Sequence, residues 1–209
     1  MAFTAADVKK LREMTSVGMM DCKKALTEAD GDFDKAIELL REKGLAKAAK
    51  KADRIAAEGL VKATVCDECG VGAIIEVNSE TDFVAKNEVF QDFVKTLAGI
   101  VANENPADVE ALKACTYPGT DRTVSDVTAD KVLAIGENIQ IRRFVRYAEG
   151  VNVPYIHMGG KIGVLVNMEV EGIDAAQVTE LGKDVAMQIA AMNLSLIHIS
   201  EPTRLQLIS

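Results

Sequence analysis

Apolar positions along residues 4–44 recur at helical spacing in three short runs. Val8, Leu11 and Met14 share one face of the first. Cys22, Ala25 and Leu26 form the inner side of the second, and Phe33, Ala36, Ile37 and Leu40 stripe the third at i, i+3, i+4 and i+7. Thr4 with Asp7 signals the first helix start, and Thr15-Ser16-Val17-Gly18 breaks that helix. Asp32, after the turn Ala29-Asp30-Gly31, is placed to cap the third helix, which Gly44 is expected to stop. Three helices over so short a stretch predict a very small bundle, near the lower size limit for independent folding. Residues 45–57 predict an Ala-rich helix without a core-sized stripe. Its Lys47, Lys50, Lys51 and Arg54 fall on one face, which reads as the solvated side of a linker.

From Gly59 the apolar period shortens. Residues 60–65 and 72–78 predict a hairpin, followed by a helix striped by Phe90, Phe93, Val94, Leu97 and Val101. A short helix near 108–114, a loop at 115–120 and a brief helix near 129–135 lead to a strand over 138–147. Residues 155–157 then precede a strand over 162–170 and a helix over 174–193. Val71-Gly72-Ala73-Ile74-Ile75 matches Ile162-Gly163-Val164-Leu165-Val166, and the helical stretch 90–103 matches 180–193 in apolar spacing. Two copies of one strand–helix unit predict an α+β fold with a duplicated core whose second copy is incomplete. The expected divisions are a helical module at 1–45, a linker helix at 46–58, a first core subdomain at 59–148 and the start of a second at 149–193. Residues 194–209 break the pattern and resemble the conceptual translation of a sequencing-library adapter. They are read as a non-native tail.

Composition narrows the function. A formal charge of −8 opposes phosphate-backbone binding. The charge is uneven, with 12 basic and 11 acidic side chains in residues 1–60 against 12 and 21 afterwards. An acidic body suits a protein partner with a basic face, and no membrane segment or secretion signal is expected, which predicts a cytoplasmic protein. The cysteines are Cys22, Cys66, Cys69 and Cys115. Cys66-Asp67-Glu68-Cys69 has the spacing of half a zinc site or of a redox pair. A closed zinc site needs two further ligands and a redox pair favours a helix start, so plain thiols in a hairpin turn are expected. No cofactor or metal is called for.

The stretch Ser79-Glu80-Thr81-Asp82-Phe83-Val84-Ala85-Lys86-Asn87 joins an apolar strand to a helix, with Ser79 and Asp82 spaced as a capping pair. An ordinary helix start would bury Phe83 in the core. A turn built to present Asp82 and Phe83 would instead expose the ring.

Four segments carry a resemblance to the bacterial elongation factor Ts family. Leu11-Arg12-Glu13-Met14-Thr15-Ser16-Val17-Gly18-Met19-Met20-Asp21-Cys22-Lys23-Lys24-Ala25-Leu26 resembles its N-terminal module, and Thr81-Asp82-Phe83-Val84 its exchange motif. Ile135-Gly136-Glu137-Asn138-Ile139-Gln140-Ile141-Arg142-Arg143 and His157 with Gly159-Gly160-Lys161-Ile162-Gly163 resemble two further segments, all in order between residues 4 and 193. The resemblance implies guanine-nucleotide exchange on elongation factor Tu without covalent catalysis. Phe83 would be an apolar wedge, Asp82 would reorganise polar groups beside it, and Thr81 and Val84 would hold the turn. It implies partner contacts from Arg12, Met19, Met20 and Lys23 on the bundle and from Ile135 and His157 on the core. Dimerisation is known among shorter members, so a homodimer is among the implied assemblies. By fold alone, residues 4–44 would instead suggest a ubiquitin-associated-like interaction module, and Cys66 with Cys69 a thiol enzyme. Neither gives the Thr81–Val84 turn a role.

Overall fold

The computed structural model describes residues 3–15, 17–173 and 175–192; the tail read as non-native lies outside them. Helices α1 (Ala5–Thr15), α2 (Met19–Glu28) and α3 (Phe33–Lys51) form the N-terminal bundle around Val8, Leu11, Cys22, Ala25, Leu26, Ala36 and Leu40. Asp32 caps α3 by accepting the Lys35 N–H at 3.1 Å. Met14 departs from the expected inner face and is 58% exposed.

Gly44 does not stop α3, which runs unbroken to Lys51. Glycine weakens a helix by roughly 1 kcal/mol, but here it is buried where α3 meets α7 (Val124–Ile135). A Cβ at position 44 would lie 3.5 Å from the Ala129 carbonyl and 3.6 Å from Leu133 Cδ2. Leu133 belongs to the bundle's own cluster, so the small bundle is completed by a helix from the following region. The basic face of α3 and the residues after it stays largely open to solvent, as expected, but is tethered at three points. Lys47 pairs with Asp21 at 3.0 Å, the Lys51 ammonium donates to the Gly136 carbonyl, and Arg54 reaches Glu80 at 3.4 Å.

Strands β1 (Glu58–Val65), β2 (Gly72–Ser79) and β3 (Gln140–Tyr147) form an antiparallel sheet in the order β1-β2-β3. Between β2 and β3 come a single turn α4 (Asp82–Ala85), the long α5 (Glu88–Glu104), α6 (Val109–Ala114) and α7. The predicted stripe of α5 is fully buried against β1 and β2. α7 starts earlier than the apolar pattern suggested. Thr123 and Asp126 close a reciprocal capping box, with Thr123 Oγ1 accepting the Asp126 N–H and Asp126 Oδ2 accepting the Thr123 N–H, both at 3.1 Å.

A second hairpin, β4 (Val151–His157) with β5 (Ile162–Met168), is covered by α8 (Ala175–Ala191). β4 begins four residues before the predicted apolar stretch, with the exposed Pro154 within it. Each unit is thus a hairpin followed by a covering helix, and among the described residues only the first is extended by a third strand. The two hairpins pack closely where side chains are missing. Gly160 has φ +99 and faces Leu60, and any Cβ at Gly163 would enter the space of Val61.

Candidate functional site

β2 ends at Ser79, α5 begins at Glu88, and the intervening turn is fastened on nearly every side. Thr81 is the N-cap of α4 with extended backbone (φ −127°, ψ 157°). It supplies no side-chain cap. Its N–H and Oγ1 both donate to the Glu137 carboxylate, at 3.0 and 2.6 Å. Ser79 is not the expected capping partner of Asp82; its hydroxyl donates to the Thr81 carbonyl at 3.0 Å, which shapes the strand exit instead. Glu80 answers Glu137 in the reverse direction, accepting the Asn138 N–H at 2.6 Å. Two carboxylates therefore stitch residues 80–81 to residues 137–138. The Asn138 amide extends the seam by donating to the carbonyls of Arg54 and Ala52, at 2.8 and 3.3 Å.

The electrostatics follow from these contacts. The Asn138 N–H, then the nearby Arg54 guanidinium, hold the Glu80 carboxyl below the usual carboxylate range. Asp82 is lowered chiefly by the hydrogen bond from Lys86, 2.7 Å away, with a further contribution from Lys161.

On this frame Val84 is buried and Phe83 is 81% exposed. The ring is not part of the core, so the ordinary-helix-start reading fails. An exposed aromatic ring on a braced turn is an apolar projection from a fixed point of the backbone, suited to entering a pocket on another molecule. Lys161, whose field reaches Asp82, follows the 3₁₀ turn Met158–Gly160, and that turn packs on β1 and holds the 65%-exposed Met158 at φ +50. His157 is exposed at the end of β4, its Nδ1 2.9 Å from the Tyr155 hydroxyl and its ring stacked on the Tyr155 ring. Ile135 is half-buried and packs against the main core, so little of it faces outward.

The other expected contacts lie on the bundle. Met19 and Met20 open α2 and are 42% and 65% exposed, while Cys22, Ala25 and Leu26 turn inward. Arg12 and Lys23 are exposed on α1 and α2. α3 connects the two regions: its first turns belong to the bundle, and Ala52 and Arg54 just past its end touch the Glu80–Asn138 seam. Its 19 residues span about 28 Å at 1.5 Å each. Sequence reasoning missed Glu80, Glu137 and Asn138 as supports and Met14 and Met158 as exposed apolar groups. The two carboxylates stand more than fifty residues apart in the chain, and no local spacing pairs them.

Comparison with known proteins identifies the family. The elongation factor TS family model matches residues 80–202, from the braced turn into the segment read as a non-native tail. Elongation factor Ts of Syntrophotalea carbinolica is 52% identical over 203 residues, covering 96% of this chain and 66% of that protein. The Clostridioides difficile protein of the same name is 55% identical over 191 residues, covering 91% and 62%. That of Halothermothrix orenii is 47% identical over 206 residues, covering 96% and 68%. The chain spans slightly under two thirds of the length of the first two. Such identity over nearly the whole chain, together with a family match over most of the core, establishes that this chain belongs to the elongation factor Ts family.

Proposed function

We propose that this chain is a guanine-nucleotide exchange factor for elongation factor Tu, supporting the elongation step of translation in the cytoplasm. The observation that carries the reading is Phe83, exposed at the head of a turn whose flanking residues are fastened to the core. In this reading the Asp82–Phe83 pair enters between helices of the GTPase and disturbs the groups around its Mg²⁺ and phosphates. Those contacts supply much of the affinity for GDP, so their displacement weakens the nucleotide without any contact to it. Thr81 and Val84 hold the turn, and His157, with the edge of Ile135, extends the contact from the core. Arg12, Met19, Met20 and Lys23 grip the partner from the bundle.

The energetics are those of linkage. A factor that binds the empty GTPase more tightly than the GDP form lowers GDP affinity by the same ratio. No bond is made or broken in this chain, so it acts as an exchange factor rather than an enzyme. The same reading takes residues 1–45 as the docking module, 46–58 as its link to the core, 59–148 and 149–193 as the two core units, and 194–209 as non-native. A homodimer, implied by shorter members, would sediment at twice the 22.4 kDa chain mass.

The test is release of fluorescent GDP from bacterial elongation factor Tu, followed by stopped flow with and without this chain. Acceleration that saturates with chain concentration supports the reading. Unchanged release, with the folded chain present in excess, overturns it.

A further inference from the structure

The tip of the β1–β2 hairpin has no part in the exchange reading, yet it is built with some specificity. The Cys66 N–H donates to the Val71 carbonyl at 2.9 Å, and the Gly70 N–H returns to the Cys66 carbonyl at 2.9 Å. Gly70 sits at φ +69, which lets the chain fold back directly after Cys69. The Cys69 N–H points at Cys66 Sγ from 3.3 Å. The other two cysteines contrast with this pair. Cys22 is buried and pushed up by that burial, and the Cys115 thiol donates to the Ala111 carbonyl at 3.3 Å.

A backbone N–H aimed at a sulfur neutralises part of a thiolate's charge, and C-x-x-C is the spacing at which a cysteine pair supplies half of a zinc site. We propose that Cys66 and Cys69 form a two-thiolate site for a thiophilic divalent cation of the zinc class, its remaining coordination positions open to water or an external thiol. Among the described residues no group of three or more His, Cys, Asp or Glu side chains is placed to hold a metal, so the described residues supply two ligands only. Asp67 and Glu68 are exposed between the cysteines. Their charge attracts a cation and repels the anionic disulfides that would drive thiol exchange, which favours metal over redox chemistry. Binding converts two thiols to thiolates and releases two protons to solvent; nothing is oxidised.

The experiment titrates the full, reduced chain with Cd²⁺ and follows the ultraviolet thiolate-to-cadmium band. One Cd²⁺ per chain is expected, with the band lost in Cys66→Ser/Cys69→Ser and kept in Cys115→Ser. Cys69 is exposed and Cys66 only partly buried at the edge of the core, so the double variant should match the parent's circular dichroism without metal. Should it misfold, Cys69→Ser alone keeps the N–H to Cys66 Sγ. That variant should weaken cadmium by more than the roughly 10–100-fold that loss of an outer-shell partner costs. A band that never appears in the reduced parent, or that survives in the double variant, overturns the site. One cation per two chains overturns the open positions and puts a second copy's thiolates in them.

Discussion

Phe83 and the Met19–Met20 pair are both apolar groups held out in water, but the chain supports them differently. At Phe83 each neighbour is tied down: Glu80 to Asn138 and Arg54, Thr81 to Glu137, Asp82 to Lys86, and Val84 into the core. The backbone that carries the ring is therefore held in place before any partner arrives. Met19 and Met20 stand on the first turn of α2, whose N-cap is Gly18 and offers no side-chain hydrogen bond. Methionine adapts to an uneven surface by its three rotatable bonds. A preorganised wedge loses little freedom on binding, whereas an adaptable patch gains tolerance and gives up entropy. In the exchange reading proposed above, the first region acts on the partner and the second holds it.

The largest effect should follow Phe83→Ala. Filling a pocket with this ring is worth about 2–3 kcal/mol, so stimulated GDP release should fall by roughly 30-fold or more. The melting temperature should stay put, because the ring is exposed. A stable variant with undiminished release would remove Phe83 from the mechanism. Glu137→Ala comes next. It strips both hydrogen-bond partners from Thr81, and with the carboxylate partly solvated the loss is about 1–2 kcal/mol. Amide hydrogen exchange over residues 80–84 should quicken and GDP release should slow several-fold, while Phe83 itself is untouched. If release is unaffected although the turn has loosened, rigidity is irrelevant to the wedge. Met20→Ala should cost about 1 kcal/mol of partner affinity, seen by titration calorimetry, and leave GDP release at saturation unchanged. An unaltered dissociation constant would take Met20 out of the interface.

Much of this was legible in the sequence because it depends on local periodicity. The α5 stripe, the β1–β2 hairpin and the Asp32 cap each follow from residues a few positions apart. The duplication was visible for the same reason. Features that depend on distant segments were not legible. Gly44 looked like a helix stop because its contact with Ala129 and Leu133 crosses some ninety residues of chain, and the Glu137–Thr81 brace crosses 56. The continuity of α3 gives a further expectation. A Cβ at position 44 would meet its neighbours at ordinary contact distance and φ is helical there, so Gly44→Ala should stabilise the chain by about 0.5–1 kcal/mol in chemical denaturation. Destabilisation would mean that α3 and α7 approach more closely than this.

The smallest effect, and the one that separates the two regions most cleanly, is acid sensitivity. Glu80 is held below its ordinary range by the Asn138 N–H and then Arg54, and Asp82 by Lys86. A carboxyl with a lowered folded pKa adds stability that is complete above the unfolded value, about 4.3 for Glu, and is lost as pH falls through the folded value. Glu80→Gln should therefore melt below the parent at pH 7, and the gap should shrink as pH drops below that range. A gap that widens on acidification would reverse the sign and deny the brace. Asp7 is lowered too, by the Thr4 N–H and hydroxyl, so the bundle has its own acid-labile cap. Hydrogen exchange resolves the two: Glu80→Gln should reduce acid-induced loosening at residues 80–84, leaving the part due to Asp82, while that of residues 5–10 stays as in the parent. Equal loss at both would mean that α3 transmits the strain between wedge and grip, and that the two displays act as one unit.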